Sequence, residues 1–132
     1  MKRLLVLTLV GIMMFSISKT AVGETYQSGK MIGYVEQTSS WVYLYDGQGR
    51  RYKTLSASST GDVIGYSATF FISQKGSWIY LFDADGKRYK TLAASSVGEI
   101  VGVSAEGFVS RKGSWIYTFD RWGKRLNSRA AY

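Results

Sequence analysis

The chain has 132 residues, with 17 Lys and Arg against nine Asp and Glu, 15 Gly, ten Tyr and four Trp, and no Cys, His or Pro. The absence of Cys excludes disulfide staples, thiol catalysis and zinc-thiolate sites. The absence of His removes the commonest general base and metal ligand.

Met1 to Gly23 have the layout of a secretory signal. Lys2 and Arg3 form a charged start, Leu4 to Ile17 an apolar stretch, and Ala21-Val22-Gly23 a small-residue cleavage site. The apolar stretch is 14 residues, shorter than the roughly 20 that span a bilayer. No Cys follows to carry a lipid. The expectation is therefore cleavage after Gly23 and an exported product, periplasmic or secreted, without a stable membrane anchor. Removing Lys2, Arg3 and Lys19 leaves 14 basic against nine acidic residues, a charge of +5. That excess suits an anionic partner, and export argues against nucleic acid. Glu24 to Tyr132, 109 residues, suffice for one domain.

The dominant signal beyond Gly23 is a tandem repeat. Tyr52 to Arg88 aligns without gaps on Tyr89 to Arg125, with 24 of 37 positions identical. An earlier partial copy lies 37 residues upstream, where Gly33-Tyr34-Val35 and Trp41 to Arg51 match Phe70-Phe71-Ile72 and Trp78 to Arg88. Met31 to Tyr34 also resemble Val63 to Tyr66 at a spacing of 32, which predicts that the first copy has lost a short strand. In the complete copy, Val63 to Ala68, Phe70 to Gln74, Trp78 to Phe82 and Lys87 to Leu92 are short segments rich in β-branched and aromatic residues, and read as strands. In the last copy, Leu126 to Ala131 stand where Tyr89 to Ala94 stood. No window has sustained helical periodicity. Lys75-Gly76-Ser77, Lys112-Gly113-Ser114 and Thr38-Ser39-Ser40 suit tight hairpins. Asp-x-x-Gly at Asp46 to Gly49, Asp83 to Gly86 and Asp120 to Gly123 suits a type I turn closing into a bulge.

Each copy carries the ladder Trp-x-Tyr-x-Tyr/Phe-Asp. Trp78, Tyr80 and Phe82 point to one face of their strand and Ile79 and Leu81 to the other, so the strand reads as central with two apolar faces. Trp41, Tyr43, Tyr45 and Trp115, Tyr117, Phe119 repeat the pattern. All nine rings are expected in the core, each worth roughly 4 to 6 kcal/mol at most by area. The fold class is all-β, about three tandem antiparallel meanders.

Phe108-Val109-Ser110-Arg111-Lys112-Gly113-Ser114-Trp115-Ile116-Tyr117-Thr118-Phe119-Asp120, followed by Gly123-Lys124, resembles the inner hairpin of β-propeller blades and of bacterial repeats with a Gly-x-Trp core and Asp-x-x-Gly-Lys. That resemblance implies blade-like meanders and no particular activity. Propellers have four or more blades and this chain has at most three. Either two copies complete a six-bladed ring, or three meanders pack around a pseudo-threefold axis in a prism or trefoil-like domain. Gln74-Lys75-Gly76-Ser77-Trp78-Ile79-Tyr80 is also similar to the mannose-site run of bulb-type lectins. Gly76 and Trp78 stand where that family needs Asp and Asn, so its site is not expected to work here.

Basic residues recur after the second turn. Strict alternation puts Arg51 with Lys53, and Arg88 with Lys90, on one face of the outer strand, with Tyr52 and Tyr89 on the other. Lys124 and Arg125 continue the series. Trp122 is an oddity, since Gln48 and Asp85 occupy its place in the other copies; beside Arg121 and Lys124 it is a candidate interface anchor. Asp83-Ala84-Asp85-Gly86 looks like a fragment of a calcium loop, but turn formation explains the shared residues. No Ser has a His to activate it. These residues point to a non-catalytic, cofactor-free binding or scaffold protein of the bacterial envelope. The partner is an envelope or extracellular protein of acidic character, bound at the hairpin tips and basic stripe, or else a glycan, anionic or stacked on Trp and Tyr faces.

Overall fold

The computed structural model describes residues 30–131; the predicted signal peptide and the chain as far as Gly29 lie outside the described residues, as does Tyr132. Three antiparallel meanders follow one another. The first blade comprises β1 (Tyr34–Gln37), β2 (Trp41–Tyr45) and β3 (Arg51–Ser56). The second comprises β4 (Asp62–Tyr66), β5 (Phe70–Lys75), β6 (Trp78–Asp83) and β7 (Arg88–Ala93). The third comprises β8 (Glu99–Ser104), β9 (Gly107–Lys112), β10 (Trp115–Asp120) and β11 (Arg125–Ala130). Met31 to Gly33 lead into β1 without forming a strand, so the first blade has three strands among the described residues.

Two turns set the register. Lys75 pairs with Trp78 across a two-residue loop whose first position, Gly76, has φ 59°, a conformation that glycine supplies without steric cost. In the first copy Ser39-Ser40 fill that loop, and the Thr38 hydroxyl accepts the Trp41 N–H at 3.0 Å. At the second turn, Asp83 Oδ1 accepts the N–H groups of Asp85 (2.9 Å) and Lys87 (3.0 Å). Asp46 and Asp120 do the same in their copies. Gly86, at φ 85°, closes the turn by donating to the Asp83 carbonyl.

Two features were not visible as periodicity. One-turn helices α1 (Ala57–Thr60) and α2 (Ala94–Val97) carry the chain from blade to blade; four residues are too few to show a helical repeat. The fully buried Ser73 and Ser110 hydroxyls donate to the carbonyls of Thr60 and Val97, each at 2.6 Å, fastening each turn to the next blade.

The cores lie between consecutive blades. Val42 and Leu44 of the first blade meet Phe71 and Phe82 of the second; Ile79 and Leu81 of the second meet Phe108 and Phe119 of the third. Phe71 stacks on Phe82, and Phe108 on Phe119, at 4.7 Å between centroids. Every blade thus presents its Ile/Leu side forward and receives the next blade's Tyr/Phe side. No buried cluster joins the first and third blades among the described residues. The meanders therefore stack in a row like propeller blades, whereas a pseudo-threefold domain would require one core shared by all three. β4 lies against both β1 and β8. Glycine at 65 permits this approach, since a Cβ there would sit 2.6 Å from Val103 Cγ2.

Candidate functional site

The structure divides the aromatic ladder in two. Phe82 and Phe119 are buried and Tyr80 and Tyr117 partly so, as the core reading expected. Trp41, Trp78 and Trp115 are 47%, 50% and 50% exposed, which corrects the expectation that all nine rings are core. Each Trp directly follows the tight hairpin, as the first residue of its strand. Its partner on the outer strand is small: Ser56 for Trp41, Ala93 for Trp78 and Ala130 for Trp115. On the other side stand Lys75 beside Trp78 and Lys112 beside Trp115. No described residue accepts a hydrogen bond from the three indole N–H groups. With sheets stacked about 10 Å apart, these indoles recur along one rim at about that interval.

The basic residues are arranged differently from the predicted stripe. Leu44 pairs with Lys53 but Tyr45 with Arg51; Leu81 pairs with Lys90 but Phe82 with Arg88. Tyr52 and Tyr89 are the extra residues of β-bulges, and a bulge resets the alternation on which the stripe depended. Arg51 and Lys53 therefore face opposite sides, as do Arg88 and Lys90. The bulge foreseen at the turn glycine lies earlier, where Asp46 meets both Gly49 and Arg50; the second bulge, at Tyr52 and Tyr89, was not foreseen.

Arg51, Arg88 and Arg125 lie over the rings of Tyr43, Tyr80 and Tyr117, with guanidinium carbons 4.5, 4.4 and 4.6 Å from the centroids. They remain exposed, one per blade on the outer flank. Lys53 and Lys90 turn forward. Their Cγ atoms lie where a side chain on Gly86 or Gly123 would come within 3.3 or 3.2 Å, so their stems pack on the next blade's turn. Lys124 is exposed, its backbone N–H held by Asp120.

The bulged tyrosines bind blade to blade. Tyr52 donates its phenol proton to the Ala84 carbonyl at 2.7 Å, and Tyr89 donates to the Arg121 carbonyl. Burial is the main cause pushing both phenols up to about 12, with nearby Asp85 adding to it at Tyr52; Arg121 opposes the shift at Tyr89. Trp122 packs edge-on against Tyr89 at 5.5 Å, and Arg121 lies 4.8 Å over its ring, yet it stays 59% exposed. It lies near the outer flank, so the structure gathers two groups: the Trp rim and the Arg121–Trp122 tip.

Asp46 shows the chemistry of the turn carboxylates. Partial burial raises its affinity for a proton, but the N–H groups of Arg50 and Gln48 and the Arg50 charge at 3.4 Å outweigh this and hold it below the ordinary carboxylate range. Among the described residues no three His, Cys, Asp or Glu gather as metal ligands, and no helix is long and apolar enough to cross a membrane.

Fold and site together define a stacked-blade all-β repeat protein with an exposed indole at the same hairpin position of every blade and a further one, Trp122, on the third. Compared with protein-family models the chain matches none, and it has no significant match among curated proteins.

Proposed function

We propose that this is an exported, non-catalytic binding protein whose Trp rim takes an extended glycan. The carrying observation is the equal exposure of Trp41, Trp78 and Trp115 at equivalent places on successive blades. A site that repeats with the fold suits a ligand that repeats along its own length. Flat aromatic rings without a buried role offer stacking faces, and their free indole N–H groups suit ring hydroxyls. Lys75 and Lys112 beside the rim, with Arg51, Arg88 and Arg125 on the flank, favour an acidic polysaccharide. Affinity electrophoresis through gels containing polygalacturonate, with amylose as neutral comparison, tests this. Retardation by the acidic polymer that is lost when all three Trp become Ala supports the proposal; equal mobility in both gels refutes it.

A second reading has its own observation. Trp122 is 59% exposed and braced by Arg121 and Tyr89, an aromatic and cationic pair of the kind that anchors protein interfaces. In that reading an acidic envelope protein is the partner. Loss of a cross-linked envelope partner on Trp122→Ala, with gel retardation unchanged, would favour it over the glycan.

A further inference from the structure

The stack ends in two uncovered faces, and both depart from the repeat in complementary ways. On the forward face of the third blade, Arg111 stands where Gln37 and Gln74 stand in the others, Arg129 where Leu55 and Leu92 stand, and Thr118 where Leu44 and Leu81 stand. On the rear face of the first blade, Glu36 replaces the buried Ser73 and Ser110, while Tyr34 and Tyr45 replace Phe71 with Phe82 and Phe108 with Phe119. One end has gained cations and the other a carboxylate.

The interface between the first and second blades shows where these residues would meet; at the second interface Gln74 instead donates to the Gly76 carbonyl of its own hairpin. Gln37, on the forward face of the first blade, donates to the Gly61 carbonyl at 3.0 Å and accepts the Val63 N–H at 2.8 Å. Val63 is the cross-strand partner of Ser73. The position of Arg111 therefore faces, across a blade interface, the neighbourhood of the position of Glu36. The first blade has no described strand in the place of β4, so the longer guanidinium has room to reach where Gln37 meets Val63. The Glu36 carboxylate is already oriented, since Tyr45 donates its phenol proton to it at 2.7 Å.

We infer that a second copy of this chain docks head to tail, the forward face of one third blade on the rear face of another first blade, with Arg111 paired to Glu36 of the second copy. Continuity with the two internal interfaces is the first argument: the same strands would meet in the same order. Charge is the second. Arg111 is exposed and reaches only the Gly113 carbonyl, at 3.4 Å. Glu99 stands opposite it on β8, but among the described residues the one ion pair is Arg50 with Asp46. The apolar complement is also present. Val109 and Leu126 help line a groove of about 330 Å³ on the forward face, and Tyr34 is 52% exposed on the rear face. Docking in both directions closes a two-copy ring, and docking in one direction extends a filament.

Trp78 and Trp115 stay half exposed although the faces bearing them are covered, so docking leaves the Trp rim available and the glycan proposal stands or falls separately. The opposing possibility is that these polar replacements are caps that keep copies apart, as terminal repeats of solenoids do.

Sedimentation velocity of the purified protein over a concentration series at low salt decides between them. The expected result is a species of two or more copies. Glu36→Lys or Arg111→Glu should weaken association at least about tenfold, and combining the two reversals should restore it. Arg111→Gln, which installs the residue found in the other two copies, should weaken association without disturbing the fold, as checked by thermal melting. A protein monomeric at every concentration overturns the inference, as does association indifferent to both reversals.

Discussion

Replacing Phe82 with Ala, and separately Trp78 with Ala, probes the division of the ladder into buried and presented rings. Phe82 is 6% exposed and stacked on Phe71 at 4.7 Å. A buried ring of roughly 200 Å² at about 25 cal/mol per Å² gives a loss of ~5 kcal/mol, and core Phe→Ala changes cost about 3–5 kcal/mol. Trp78 is 50% exposed. Half of a ring of up to ~250 Å² sets a ceiling of ~3 kcal/mol, which a compact unfolded chain and surface relaxation bring to about 1–2. Urea unfolding followed by far-ultraviolet circular dichroism, fitted with a common slope, should separate the two variants by roughly 2 kcal/mol. In melting temperature that is on the order of 8–16 °C for a domain of this size. If Trp78→Ala unfolds the protein as readily as Phe82→Ala, the indole belongs to the core and the rim is no site.

Further consequences concern the joints between blades. Tyr52→Phe and Tyr89→Phe each remove one phenol-to-carbonyl bond and should cost about 0.5–1.5 kcal/mol. Because both phenols are pushed up to about 12 in the fold against about 10 when unfolded, their contribution is full below pH 10. It is lost between about pH 10 and 12, so the double Phe variant should have a flatter alkaline melting profile than the parent. Ser73→Ala leaves the Thr60 carbonyl without its donor in a buried setting and should cost about 1–3 kcal/mol, read by urea unfolding. Asp46 has its carboxyl held below the usual range. Its contribution is present above about pH 3.9 and lost as pH falls through its lower folded value, so Asp46→Asn should flatten the acid side of the melting profile.

Much of the fold is legible because the repeat restates every local rule. Asp at the turn start, Gly at its end and alternation within the strands place β5, β6 and β7 to within a residue or two. The part that escaped is interaction between rules. The outer strand carries a bulge at Tyr52 and Tyr89, beyond the turn's own, and that single extra residue moves Lys53 and Lys90 away from Arg51 and Arg88. Periodicity also cannot say where a strand outruns its neighbour. Trp78 and Phe82 share a face and differ only in depth, which depends on how far the preceding blade extends. The small partners Ser56, Ala93 and Ala130 were the available signal: a large ring beside a small residue at a strand end is poorly covered. Thr118 in place of Leu44 and Leu81 is likewise visible in the sequence, and its meaning as an uncovered face followed only from the order of the stack.

The most direct test of the central claim is titration calorimetry of an acidic polysaccharide into the protein and its Trp→Ala variants at 41, 78 and 115. Truncating an aromatic side chain that anchors a partner costs more than about 1 kcal/mol, so each single change should weaken binding at least roughly 5-fold, and the triple change should abolish it while the circular dichroism spectrum is kept. Undiminished binding by the folded triple variant, or no polysaccharide bound by the parent protein, would contradict the account.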